Sequence, residues 1–200
     1  MCKVTFGAVT EFEDKIADFY GAPYAVAVDC CTHAIELCLR YKQVKSFSAP
    51  CRTYISVPFL ARKLDIDFHW REEDWTDYYQ LGNTNIIDAA VLWKRNSYID
   101  NTLMCLSFQF RKHLNLARGG MILSDDLTVA TELKKMSYDG RIPDMPWRAQ
   151  DITSMGYHYY MTPETANLGL EKLEDAIDRS PRQWMVNDWP DLRKMGVFKK

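Results

Sequence analysis

Tyr24-Ala25-Val26-Ala27-Val28-Asp29-Cys30-Cys31-Thr32-His33-Ala34-Ile35-Glu36-Leu37-Cys38-Leu39-Arg40-Tyr41 is the stretch that decides how the chain is read. Its first five residues form a continuous apolar run without the alternation of a half-exposed strand. A strand buried on both faces is expected there. After a short turn the period changes, and Ala34, Leu37, Cys38 and Tyr41 recur at helical spacing. Thr32 stands where a helix N-cap is expected. A buried strand feeding a helix through a tight turn is the unit from which α/β folds are built.

The same alternation continues on either side. Upstream, Thr10-Glu11-Phe12-Glu13 reads as a capping box opening a helix to about Tyr20. Downstream, strands are expected at Lys45–Ala49, Leu64–His69, Asn85–Ile87 (ending at Asp88), Leu103–Phe108 and Met121–Leu123. Tyr54–Lys63 reads as a helix with Pro58 near its start. Asp125 or Asp126 starts another, with Leu127, Ala130, Leu133 and Met136 at helical spacing. Thr162-Pro163-Glu164 is a cap followed by proline, opening a helix to about Ile177. Residues 1–179 are thus expected as one α/β domain. Residues 180–200, rich in Trp, Pro and charge, read as an irregular tail that packs on a surface or as the remnant of a second domain.

Composition excludes several classes. The 200 residues are 47% hydrophobic and 26% charged, with a formal net charge of -2. Bulk charge therefore favours neither nucleic acid nor an anionic membrane. No apolar run is long enough to span a bilayer. Met1–Phe6 lacks the apolar stretch of a secretory signal, so the cytoplasm is the expected location. Cys2, Cys30, Cys31, Cys38, Cys51 and Cys105 form no C-x-x-C pair and are expected as buried thiols. His33, His69, His113 and His158 show no spacing that suggests a metal site. There is no P-loop and no G-x-G-x-x-G.

Three features fall at strand ends, where open α/β sheets gather ligands. Asp29-Cys30-Cys31-Thr32 leads into a helix N-terminus, which either binds a phosphate or is simply capped by Thr32. Asp88 ends a buried strand and needs a partner: a protonated ring nitrogen or the start of a helix. Lys112 lies just past a strand in Ser107-Phe108-Gln109-Phe110-Arg111-Lys112-His113, before Gly119-Gly120. It is either a desolvated nucleophile or part of a solvated basic turn.

Taken in order, these segments resemble the DegT/DnrJ/EryC1/StrS family of pyridoxal-phosphate (PLP) dependent sugar aminotransferases. The resemblance rests on Ala25–Leu39, on Pro50-Cys51-Arg52-Thr53-Tyr54 and on Ile87-Asp88-Ala89-Ala90. It continues in Ser107–Lys112 with Gly119–Leu123, in Gly156–Met161 and in Leu168-Gly169-Leu170. The resemblance implies the α/β PLP-transferase large domain (aspartate aminotransferase fold type I), compacted, with most of the small C-terminal domain missing. It also implies that Lys112 carries PLP as a Schiff base and shuttles the substrate proton. Asp88 would pair with the pyridine nitrogen and Tyr54 would stack on the ring. Thr32, Cys31 and Ser107 would hold the phosphate. His158 falls where the family has an Asn that reaches the phosphate of the other subunit, so a homodimer with the site at its interface is implied.

The sequence departs from the family at four of these positions. Cys31 replaces a Gly, Val91 a polar residue, His158 an Asn and Tyr160 an Arg. Between Trp70 and Asn85 there is room for a short loop where the family inserts another strand and helix. The activity implied is transfer of an amino group from an amino acid, glutamate in the first instance, to a nucleotide-linked keto sugar. The alternatives are a PLP enzyme of another reaction type, elimination or racemisation, and a non-catalytic relative that binds PLP or sugar.

Overall fold

The computed structural model of the chain describes residues 6–199; the expectation of a buried thiol at Cys2 lies outside them. Helix α1 (Gly7–Tyr20) leads into β1 (Tyr24–Val28) and α2 (Cys31–Tyr41). Then come β2 (Ser46–Pro50), α3 (Ser56–Leu64), β3 (Asp67–Arg71), β4 (Tyr79–Gln80) and β5 (Ile86–Asp88). β6 (Leu103–Ser107), β7 (Gly120–Ser124), α4 (Leu127–Ser137) and α5 (Pro163–Asp178) complete the regular elements. Five strands form a mixed sheet in the order β1-β7-β6-β5-β4, while β2 and β3 pair in parallel as a separate ribbon. The Gly82 N–H donates to the Ser48 carbonyl at 2.9 Å and joins the ribbon to the main sheet.

Strand alternation divides the core in two. Ala27, Ile87, Met104, Leu106, Met121 and Leu123 face α1 and α5. Val26, Val28, Ile86, Leu103, Cys105 and Ile122 face α2, α3 and α4. With helices on both faces, β7 is buried throughout, and β1 and β6 are buried except at Tyr24, Ala25 and Ser107, in keeping with their apolar runs. Each fully buried large side chain contributes about 1.5–3 kcal/mol. α1 packs tightly on α5, where a Cβ on Gly169 would come within 2.6 Å of the Phe12 ring.

The helix starts differ from expectation in two places. α1 begins at Gly7, three residues before the Thr10–Glu13 box, and the Glu13 side chain does not cap it. Glu13 is buried, accepts the Ala27 N–H at 2.9 Å and pairs with Lys134. β1 is an edge strand, and this carboxylate occupies one of its outward N–H groups. Thr32 is not the N-cap of α2: the helix starts at Cys31 after Cys30, and the Thr32 hydroxyl is 2.7 Å from the Ser56 hydroxyl. Two other starts follow the sequence signals. Asp126 accepts from the N–H groups of Thr128 and Val129, and Thr162 accepts from Thr165. In α4 Leu127 faces solvent, whereas Ala130 and Leu133 are buried. No helix among the described residues is long and apolar enough to cross a membrane.

Residues 180–199 hold no helix longer than a 3-10 turn, yet they are fastened down. Leu192 is buried, and its N–H donates to the Cys51 carbonyl at 2.9 Å. Arg52 donates to the Trp189 carbonyl at 2.9 Å, and Phe198 packs on Phe59 and Trp70.

Candidate active site

β1, β5 and β6 run in the same direction, because β7 lies antiparallel to both β1 and β6. Their carboxyl ends therefore open on one edge of the sheet, the usual ligand edge of such folds. A cavity of about 760 Å³ lies there. Lys112, Asp88, Tyr54, Thr32, Cys31 and Ser107 all line it. His158 does not: its exposed ring pairs with Asp139 at 3.0 Å, near Tyr138 and Tyr160.

Asp88 forms the floor and is 5% exposed. Its Oδ1 accepts the Ala90 N–H at 3.0 Å, and its Oδ2 accepts the Tyr79 hydroxyl at 2.6 Å. Burial pushes the carboxyl pKa up, against the pull of Tyr79, the Ala90 N–H and Lys112. For Lys112 the same burial pushes the amine pKa down. Asp88 works against that shift, and Arg182 adds to it. Nζ has no ion pair or hydrogen bond among the described residues. It sits 4.8 Å over the Trp184 ring and 5.5 Å over the Trp189 ring. The tail thus packs across Lys112, with Trp75, Trp189 and Trp184 stacked in a row.

The first turn of α2 forms a second wall. The N–H groups of Cys31, Thr32 and His33 precede the first intrahelical bond, which Ala34 makes to the Cys30 carbonyl at 3.0 Å. The hydroxyls of Thr32, Ser56 and Ser107 line the cavity beside them. This donor set suits a phosphate dianion. Cys31 takes the place of a family glycine without strain: Cys30 is extended and neither residue has a positive φ. The Cys31 thiol turns towards β6, 3.5 Å from the Cys105 carbonyl, and burial keeps its pKa high. Of the other departures, Val91 lines the cavity, and Tyr160 packs against Phe6 and Tyr138.

Sequence reasoning missed two features. Tyr79 lies in the stretch read as a short loop, yet the two-residue β4 places it on Asp88. Asp29, Cys30 and His33 converge within 4.8 Å, although histidine spacing gave no sign of such a cluster. Asp29 holds His33 at 2.6 Å and Arg118 at 2.7 Å, so its charge is already balanced. Burial disfavours both charges, but the pairing prevails: Asp29 is held below the usual carboxylate range and His33 is pushed up to about 9. A histidine raised in this way stabilises the fold fully below its unfolded pKa and loses that contribution as pH rises through the folded one. In urea titrations the wild type is expected to exceed His33→Gln by about 1–2 kcal/mol at pH 6, with the difference closing as pH passes 9. An equal difference at both ends would show that the pair carries no such linkage.

A lysine and a buried carboxylate thus line one cavity at the carboxyl edge of a mixed sheet, beside a helix N-terminus. The chain belongs to the DegT/DnrJ/EryC1/StrS aminotransferase family, whose sequence profile matches residues 4–59 and 97–183. Asp88 and Tyr79 fall between the matched segments.

Solved structures agree on the fold. Spr1654 from Streptococcus pneumoniae, described as a sugar aminotransferase and solved in a PLP form, superposes with a TM-score of 0.72 at 17% identity. That match covers 88% of this chain and 61% of the other. PseC of Helicobacter pylori, an aminotransferase of pseudoaminic acid biosynthesis, gives 0.71 at 13% identity, over 88% and 60% of the two chains. AtS13 from Actinomadura melliaura gives 0.70 at 18%, over 84% and 60%. The chain thus spans about 60% of the length of these proteins and has the α/β aminotransferase large-domain fold in compacted form. No curated protein matches its sequence.

Proposed function

We propose that this chain is a PLP-dependent aminotransferase that takes an amino group from an amino acid, glutamate in the first instance, and delivers it to a nucleotide-linked keto sugar. The observation that carries the reading is the convergence of Lys112 and Asp88 on one cavity beside the first turn of α2. A buried carboxylate and a half-buried amine without an ion pair are costly to the fold, and such groups cluster where chemistry needs them.

PLP, when bound, supplies the electron sink that carbanion chemistry at an amino acid requires. The chain's own residues have separable tasks. The Asp88 carboxylate would accept the N–H of the pyridine ring and keep that nitrogen protonated. The N–H groups of Cys31 and Thr32, with the hydroxyls of Thr32 and Ser107, would hold the phosphate. Lys112 would anchor the cofactor and then move a proton at its Nζ, a role that a lowered pKa suits near neutral pH. Tyr54, half exposed and edge-on to Trp189 at 6.3 Å, would cover one ring face. Trp184 and Trp189 would exclude water from the Lys112 side.

Sugar aminotransferases that share the fold support a sugar acceptor; the glutamate donor and the nucleotide link rest on the family resemblance of the sequence alone. A homodimer is part of the same reading. Ile142, Met145, Trp147, Ile152 and Met155 leave large apolar side chains in solvent on the segment just before His158. Such a patch on a small domain marks an interface. A second copy covering it would bring His158 towards the neighbouring site.

The test is the visible spectrum of the purified chain with added PLP, before and after borohydride. A Lys112-dependent band that reduction fixes is expected. Adding glutamate should then yield pyridoxamine phosphate and a keto acid. No band would overturn the cofactor assignment and favour a non-catalytic relative. A band without keto acid would favour elimination or racemisation.

A further inference from the structure

We propose that Tyr79 is the positioning residue of this site: oriented by Thr53, its hydroxyl fixes the Asp88 carboxylate in the rotamer and charge state that a cationic ring nitrogen requires. The inference rests on the PLP reading above and adds a residue to it.

The geometry is set by the backbone. β4 and β5 pair antiparallel with Tyr79 directly opposite Asp88, so their side chains project from the same face. Both are nearly inaccessible, at 4% and 5% exposure. The Tyr79 hydroxyl lies 2.6 Å from Asp88 Oδ2 and 2.6 Å from Thr53 Oγ1, and Thr53 is 2% exposed. A carboxylate only accepts, so Tyr79 donates its single proton to Asp88. The Thr53 hydroxyl must then donate to the Tyr79 oxygen. The chain Thr53 to Tyr79 to Asp88 has one direction as long as Asp88 is ionised, and the Ala90 N–H fixes the other oxygen.

The groups facing Asp88 from neighbouring elements show why such help is needed. Lys112 approaches from the loop after β6, Cys31 from α2 and Cys105 from β6. Burial keeps both thiols neutral, and among the described residues Lys112 is the cation whose charge acts on the carboxylate. Burial drives Asp88 towards its neutral form, and Tyr79 is the largest of the opposing influences. A neutral Asp88 could not keep a pyridine nitrogen protonated. Tyr79 lies between the segments matched to the family profile, in the compacted stretch between Trp70 and Asn85. In this chain the shortened connection itself supplies the residue that holds the carboxylate.

The experiment compares full-length wild type, Tyr79→Phe, Asp88→Asn and the double variant by titration with PLP in the visible range. A charge-assisted hydrogen bond of this kind is worth about 1.5–3 kcal/mol, so Tyr79→Phe should weaken PLP binding at least about tenfold. Asp88→Asn should weaken it at least as much, and the double variant no further than Asp88→Asn alone. Thr53→Val, which removes the upstream donor while keeping shape, should move in the same direction by less. It stands in if Tyr79→Phe fails to melt cooperatively.

A second readout needs no cofactor. Carbon-13 NMR titration of Asp88, assigned with Asp88→Asn, should show its pKa rising in Tyr79→Phe before PLP is added. Unchanged PLP binding in Tyr79→Phe, or losses that multiply in the double variant, would overturn the inference and leave the PLP reading intact. If the wild type shows no Lys112-dependent band, the PLP reading falls. The Asp88 titration then decides on its own, and an unshifted carboxyl rejects the role of Tyr79.

Discussion

Replacing Lys112 with alanine is expected to abolish the borohydride-fixed PLP band and to lower transamination at least about 10³-fold, within the span of a lost acid–base group. Lys112 is the amine that the structure brings to the Asp88 cavity. Arg111 and Arg118 also line it, but guanidinium groups stay protonated and cannot attack a carbonyl. Stability should move the other way. Burial depresses the Lys112 pKa, so holding the ammonium in the folded state costs free energy at neutral pH. Removing it should leave the melting temperature unchanged or raise it, although its packing on Trp184 and Trp189 is also lost. A collapse of the spectrum with an undiminished melt would assign the loss to chemistry. Lys15→Ala, at an exposed position on α1, should keep both the band and the melt. A variant Lys112→Ala that retains the reducible band would move the cofactor to another lysine and overturn the site.

Much of this was legible in the chain because single segments carried it. The β1–α2 unit announces itself through a run of apolar residues followed by a change of period, and both ends fall within a residue or two of expectation. That Lys112 and Asp88 would meet at one cavity was legible because Asp88 ends β5 and Lys112 lies in the loop that follows β6, both strands that read clearly. Tyr79 was not: β4 has two residues, too few to show a period, and its role depends on pairing with a strand nine residues on. Glu13 misled for a related reason. A Ser/Thr-x-x-Glu pattern is a local signal, and here the bare edge of β1 claimed the carboxylate over the helix start. The tail could be read as packing on something, but its target could not. Cation–π contact of Trp184 and Trp189 with Lys112 joins residues more than seventy positions apart, with no shared period to reveal it.

The glycine pair at the start of β7 offers a test of the phosphate wall that replaces none of the proposed ligands. Gly120 pairs with Val28 on one side and Ser107 on the other. A Cβ there would lie 2.4 Å from the Cys30 carbonyl carbon, 2.5 Å from the Cys31 nitrogen and 2.8 Å from the Cys30 oxygen. All three atoms belong to the peptide from which α2 starts, so no flexible side chain can yield. Gly120→Ala must displace either β7 or the first turn of α2. Overpacking against backbone should cost about 3 kcal/mol, the upper end of the usual range. For a chain of this size that lowers the melting temperature by roughly 6–12 °C. PLP affinity should fall as well, measured at a temperature where the variant is fully folded, because the N–H groups of Cys31 and Thr32 no longer converge with Ser107. Gly196→Ala is the control: nothing lies within 4 Å of its added Cβ, and neither property should change. A Gly120→Ala protein that melts early yet binds PLP as tightly as the wild type would mean that the first turn of α2 does not hold the phosphate. The wall would then have to be sought in the hydroxyls of Ser56 and Ser107 alone.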